Sequence, residues 1–316
     1  MRECGTFSTE LANCDILNIL ALVEALYNGD SMSAHFRIAA ITDEFSPDLD
    51  IAVHSMAEVG MTGAELRMLF GKNIVDLSTE ELERAIEMVR GCGLEIISIA
   101  SPLLKCTLPD APEVDERFQK DMFAAKQTFD DQPWIAERAF AIAERTGAKI
   151  IRVFSYWRTV RPEECFTRIV EALGKLADQA AHYGVTIAIE NEHACNIATA
   201  AETSRLLAAL NHPHLKMVWD PANALVSGET PFPDGYATLP VGRIAHVHAK
   251  DCLQGDEKLI WGPLGDGLID WRGQIAALAR DGYTGWISLE THWTGPNNDK
   301  HEASMICGRK LRELAQ

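Results

Sequence analysis

VTIAIE (Val185–Glu190), LKMVWD (Leu215–Asp220), RIAHVHA (Arg243–Ala249) and WISLE (Trp286–Glu290) follow one another in the second half of this 316-residue chain. Each is a short apolar run containing β-branched residues or tryptophan, and each closes on or beside a side chain that binds divalent metals well: Glu190, Asp220, His248 and Glu290. The stretches between them are long enough for a helix. Short apolar runs that alternate with helical stretches predict parallel strands joined by crossovers. In a closed barrel of such units all strands end on one face, where residues distant in sequence meet. The four side chains are therefore expected to share one site.

The alternation extends back to Arg37. Strands are predicted over Arg37–Thr42, Gly63–Arg67, Leu94–Ala100 and Lys149–Phe154, and helices over Leu49–Gly60, Ser78–Gly91, Pro133–Thr146 and Pro162–Tyr183. Ser78 and Glu81 form a capping-box pattern that marks a helix start. Downstream, helices are predicted over Ala200–Leu210, Trp271–Arg280 and Asp299–Leu314, with a Pro- and Gly-rich link and a poor helix in the sixth unit. Eight strand–helix units predict an α/β protein with a single (β/α)8 TIM barrel as its catalytic domain over residues 32–316. The long links at 101–132 and 252–269 follow the third and seventh strands and are expected to wall a substrate pocket. Residues 1–31 form an N-terminal extension. Leu11–Tyr27 has helical spacing, so the extension either packs as an added helix or precedes a natural start at Met32. It lacks the basic start and small-residue cleavage site of a secretory signal.

A net charge of −17 repels polyanions, which argues against nucleic acid as a partner. No apolar run approaches the roughly 18 residues of a membrane span. The eight cysteines are scattered without paired short spacings, which predicts reduced thiols and a cytoplasmic protein. Assembly into a homo-oligomer stays open.

Three carboxylates and one imidazole, with no thiolate, suit a hard or borderline cation: Mn2+ first, Mg2+ or Co2+ as alternatives, and not structural zinc. Any one such carboxylate has an ordinary explanation as a helix cap or a partner for lysine. Four on consecutive strand ends are harder to explain that way.

The motifs themselves carry a resemblance. Ile189-Glu190-Asn191 with His193, Trp219-Asp220-Pro221-Ala222-Asn223, His246-Val247-His248-Ala249-Lys250-Asp251, Pro263-Leu264-Gly265-Asp266-Gly267 and Leu289-Glu290 resemble the xylose isomerase-like barrel superfamily. In the first half, Thr42-Asp43-Glu44-Phe45, Ala64-Glu65-Leu66-Arg67 and Ser101-Pro102 with Lys105 resemble its sugar phosphate isomerase/epimerase branch, so the likeness runs from Arg37 to the C-terminus. The resemblance implies that Glu190, Asp220, His248 and Glu290 bind one catalytic divalent cation, and that Glu190 and Glu290 also act as acid and base. It implies a metal-dependent isomerase or epimerase of carbohydrate metabolism that removes a proton beside the carbonyl of a small sugar or polyol. An enediolate formed that way can instead expel a group from the next carbon, so the alternative is a lyase or dehydratase acting on a keto-sugar or keto-glycoside. The residues after Glu190 and Asp251 depart from the epimerase pattern. An apurinic endonuclease would carry a histidine in place of Asn223 and further ligands near Trp261-Gly262-Pro263, which are absent. A barrel that binds sugar without catalysis would need an incomplete ligand set.

Supporting roles are expected for five more residues. His193 is placed to bond a sugar oxygen, and Asn223 to orient the metal's surroundings or bind substrate. Arg152 and Lys105 steady the substrate or else pair with a carboxylate, and Asp251 binds substrate or fixes the His248 imidazole. His246 points the same way as His248 from a deeper layer. Trp157, Trp261 and Trp293 lie near strand ends, where indoles stack on sugar rings or simply bury area.

Overall fold

The computed structural model describes residues 36–119 and 126–316. The extension expected at 1–31 lies outside the described residues.

Eight parallel strands close into a barrel: β1 (Arg37–Ile41), β2 (Gly63–Leu66), β3 (Glu95–Ala100), β4 (Ile150–Val153), β5 (Thr186–Glu190), β6 (Leu215–Trp219), β7 (Ile244–Ala249) and β8 (Trp286–Leu289). Neighbours in sequence are neighbours in the sheet, and β1 closes the ring against β8 with Arg37 opposite Trp286. Gly63 on β2 leaves room for the Trp286 ring, because a Cβ there would stand 2.7 Å from it. The outer helices are α1 (Leu49–Glu58), α2 (Thr79–Gly91), α3 (Gln132–Thr146), α4 (Phe166–Tyr183), α5 (Ala200–Ala209), α6 (Pro221–Val226), α7 (Trp271–Arg280) and α8 (Lys300–Leu314).

Local chemistry sets these bounds. Ser78 and Glu81 make both bonds of the capping box at the start of α2. Beyond α3 and α4 the chain turns at Gly147 and Gly184, both with left-handed backbone. Pro162 begins a 3-10 turn, Pro162–Cys165, that leads into α4, so the helix expected from Pro162 starts as a tighter coil. The sixth helix is short, as expected for that unit, and the Pro- and Gly-rich link follows it. Two antiparallel hairpins were not anticipated: Met68–Leu69 with Lys72–Asn73, and Asp251–Gln254 with Leu259–Gly262. The second opens at Asp251 and runs into the link at 252–269, carrying Trp261 to the strand-end face.

The apolar core lies between barrel and helices, with Ile151, Ile187, Met217 and Val247 turned toward Ile142, Leu173 and Leu206 and fully buried. The barrel interior is polar instead. Glu65, Ser98, Arg152, Glu190, His246, His248 and Ser288 are all buried. Inward and outward positions alternate along a strand, so His246 and His248 share the inner face of β7. Six cysteines are free thiols among the described residues, and no described helix is long and apolar enough to cross a membrane.

Candidate metal centre and substrate pocket

The four strand-end side chains converge. Glu190, Asp220, His248 and Glu290 each bring one donor atom within 4.8 Å of the other three, and all four are buried. His248 Nδ1 lies 3.1 Å from Glu190 Oε1 and 3.3 Å from Glu290 Oε2. Two ligands of one ion at metal–ligand lengths of about 2.0–2.2 Å stand roughly 3.0–3.4 Å apart, so these spacings suit a shared cation. Asp220 caps α6: its Oδ1 accepts the Asn223 backbone N–H at 2.8 Å, which leaves Oδ2 for the cluster. Asp220 Oδ2 and Glu190 Oε2 are buried without a well-angled hydrogen bond, each held only by ion-pair proximity to Lys250 at 2.8 Å and Arg152 at 3.2 Å. Buried oxygens left open in this way, on three carboxylates beside an imidazole, make a donor set that fits a divalent cation.

Cations of the chain itself offset much of the negative charge. Lys250 Nζ stands 2.8 Å from Asp220 and 2.9 Å from Glu290, fully buried. Arg152 approaches Glu190 and Glu290, and Arg67 reaches Glu290 at 3.1 Å while binding Asp43 and Glu44. Burial disfavours every one of these charges, and mutual attraction decides the outcome. Glu290 is held well below the usual carboxylate range because Lys250 and His248 overcome its desolvation. Asp220 is pushed up by burial, to which Glu190 and Glu290 add and which Lys250 opposes. His248 is raised well above its ordinary value, since Glu190, Glu65 and Glu290 outweigh burial. A second acidic group, Glu44 and Glu290 with His292, is also compact. Its charge is met by the Arg67 guanidinium, which contacts both glutamates.

A cavity of about 440 Å³ opens above the cluster, walled by Arg67, Lys105, Arg152, Glu192, His193 and Trp261, among others. Of the four clustered residues only Glu290 lines it. His193 Nδ1–H donates to Asn223 Oδ1 at 2.8 Å, and Asn223 Nδ2 donates to Glu190 Oε1 and Glu192 Oε2, both at 3.3 Å. Lys105 stands over the Phe154 and Trp157 rings at 4.4 and 5.6 Å. Trp261 packs edge-on against His292 at 4.8 Å. Both long links thus contribute to the wall, through Lys105 and Trp261.

Asp251 is elsewhere. Its carboxylate is buried and accepts backbone N–H groups of Cys252, Gly265, Gly267 and Ile269, tying the link after β7 to its root, and it touches neither His248 nor the cavity. The link approaches so closely that a Cβ on Gly267 would fall 2.2 Å from Asp251 Oδ1. The residue that does meet His248 from behind is Glu65, and His246 bonds Glu65 as well. Arg152 forms the ion pairs that were its ordinary alternative while also facing the cavity. Trp157 lines the cavity and Trp293 does not. Glu65, Arg67, Glu192 and Lys250 were given no role from sequence. Glu192 was signalled, because it stands two residues beyond Glu190, the step that returns an extended chain to the same side.

The Xylose isomerase-like TIM barrel family model matches residues 134–311, and the chain belongs to that family. It is 24% identical over 282 residues to the inosose dehydratase of Geobacillus thermodenitrificans, covering 83% of this chain and 88% of that one. Among solved structures it is similar to the probable 3-DHS dehydratase AsbF of Bacillus anthracis, with a TM-score of 0.65, 21% identity, and 85% and 97% of the two chains covered. The 3-keto-D-glucoside 4-epimerase YcjR of E. coli superposes with a TM-score of 0.59 at 17% identity, covering 89% and 98%. The IOLI protein, described with a bound zinc atom, superposes with a TM-score of 0.64 at 17% identity over 89% and 98%.

Proposed function

We propose that this protein is a divalent-metal-dependent dehydratase, a carbon–oxygen lyase acting on a keto-polyol of the inosose type. The observation that carries the reading is the cluster of Glu190, Asp220, His248 and Glu290 beneath a cavity that only one of them lines. Its dehydratase relatives by sequence support elimination over epimerisation. Epimerisation by proton return needs two bases at opposite faces of one carbon. Glu190, the other base expected from sequence, lies below the wall with no exposure.

Glu190, Asp220, His248 and Glu290 would hold a cation that would polarise the substrate ketone and make the neighbouring C–H acidic. Manganese is the expected occupant, with magnesium, cobalt or zinc as competitors. Glu290, kept ionised by Lys250 and His248, takes the proton from that carbon. The electron pair left behind becomes the new C=C bond as the C–O bond on the next carbon breaks. The proton that Glu290 has taken passes to the departing hydroxyl, so that water leaves, and His193, held through Nδ1 by Asn223 and lining the cavity, bonds that hydroxyl. Glu192 and Lys105 bind hydroxyl groups across the pocket, and Trp157 and Trp261 cover the apolar face of the ring.

Mass analysis of an inosose incubated with metal-loaded protein tests the reading. Loss of one water is expected, and Glu290→Gln should lower the rate by about 10²–10⁴-fold. Solvent deuterium incorporated into an isomer of unchanged composition would point to the epimerase. No change with inososes or keto-glycosides would overturn the proposal.

A further inference from the structure

Glu65 lies on β2, across the barrel from β7, and is fully buried. Its Oε1 accepts from His246 Nε2–H at 2.7 Å and stands 3.2 Å from His248 Nε2. The two rings meet edge to face, 5.3 Å apart at 85°. The opposite edge of His248 carries Nδ1, the atom that faces Glu190 and Glu290. The two nitrogens of an imidazole lie on different edges of one rigid plane, so the group that fixes one aims the other.

A barrel ladder shifts register beside each member of the pair. The barrel ladders contain two register shifts among the described residues: one between Ala64 and Glu65 in the β2–β3 ladder, the other in the β6–β7 ladder, where pairing steps from Ile244 to His246. An extra residue in one strand re-aims the side chains beside it. Both irregularities therefore fall where a side chain is turned inward beneath the cluster.

A second cation between Glu65, His246 and His248 is the rival explanation, since these three also form a compact donor group. The 2.7 Å separation of Glu65 Oε1 from His246 Nε2 decides against it. That is a hydrogen-bond length, shorter than the roughly 3.0–3.4 Å between two ligands of one ion.

We propose that Glu65, supported by His246, is a positioning residue of the metal centre: it holds the His248 ring by Nε2 so that Nδ1 faces the cation. The proposal rests on the cation-binding reading given above but is independent of the reaction catalysed.

The test is Mn2+ binding by the whole protein without substrate, read as dissociation constant and stoichiometry, with the visible spectrum of the Co2+ form as a probe of ligand geometry. Glu65→Ala is expected to weaken Mn2+ by about 10–100-fold and to alter the Co2+ bands. Glu65→Gln, whose amide oxygen keeps an acceptor against both imidazoles, should recover most of the loss. Leu66→Ala, a cavity in the apolar layer, should lower thermal stability and leave both metal readouts unchanged. If Glu65→Ala does not fold, His246→Phe keeps the ring and removes the donor, and should weaken Mn2+ toward the lower end of the same range. Wild-type affinity in folded Glu65→Ala, or in His246→Phe where that variant carries the test, overturns the proposal alone, as do two Mn2+ ions per wild-type chain. A wild-type protein that binds no cation overturns the underlying reading together with it.

Discussion

The two halves of the barrel bring opposite charges to the same place. From β5 to β8 come the donor groups Glu190, Asp220, His248 and Glu290. From β2 to β4 and the link after β3 come Arg67, Lys105 and Arg152, which face the cavity. Arg152 reaches across to Glu190 and Glu290, and Arg67 to Glu290. Clustered carboxylates repel and buried guanidinium groups need partners, so the two halves offset one another, and Lys250 adds a cation from within the donor half. The lesson is that the centre exists only when the barrel closes. The C-terminal half supplies the candidate ligands, and the N-terminal half offsets their charge.

That division is open to attack from either side. The largest effect is expected from His248→Ala, which should lose the cation through dialysis, whereas Arg67→Leu in the other half should keep metal stoichiometry and lose turnover. Metal analysis beside steady-state rates separates the two, and loss of metal in both variants would erase the distinction. Lys250 belongs by sequence to the donor half but carries the opposite charge. Lys250→Met leaves Asp220 and Glu290 buried without their shared ammonium, and should cost the metal-free protein about 3–5 kcal/mol in urea unfolding. Asp251→Ala is expected to be milder, about 1–3 kcal/mol, because it releases backbone amides of one link. Its Mn2+ affinity should match wild type, since Asp251 touches none of the four clustered groups.

The smallest effect is a pH dependence. His248 is raised in the metal-free protein, so its contribution to stability is complete below the ordinary imidazole value of about 6.5 and is lost as pH rises through the higher folded value. A cation competes with that proton. Mn2+ affinity should therefore increase with pH over this window, by at most about tenfold per unit for one proton released, and calorimetry in buffers of different ionisation enthalpy would count it. A flat profile would show that His248 enters the site without giving up a proton.

How much of this was legible in the sequence follows from the range of the interactions. Strands were readable because each is a short apolar run between helix signals, and their ends differ from expectation by a residue or so. Glu190, Asp220, His248 and Glu290 were readable because each closes such a run, and barrel topology alone carries strand ends to one face. Asp251 was misplaced because its neighbour in the motif, Lys250, points into the cluster while Asp251 turns back to gather Gly265, Gly267 and Ile269. That reversal depends on a hairpin whose pattern, DCLQ followed by LIWG, is too short to stand out. Glu65 appeared within a recognised motif but without a task, because its partners lie 181 residues away on a strand that is not its neighbour. Pairing of that kind is decided by closure of the ring.

Asp220 has a wider reach than its place in the cluster suggests. One oxygen begins a helix, that helix fixes Asn223, and Asn223 grips the imidazole of His193 at the mouth of the pocket. Occupancy at the floor of the pocket is thereby wired to a ring at its rim, and the nuclear magnetic resonance signal of that single histidine would report, from the solvent side, whether the centre is filled.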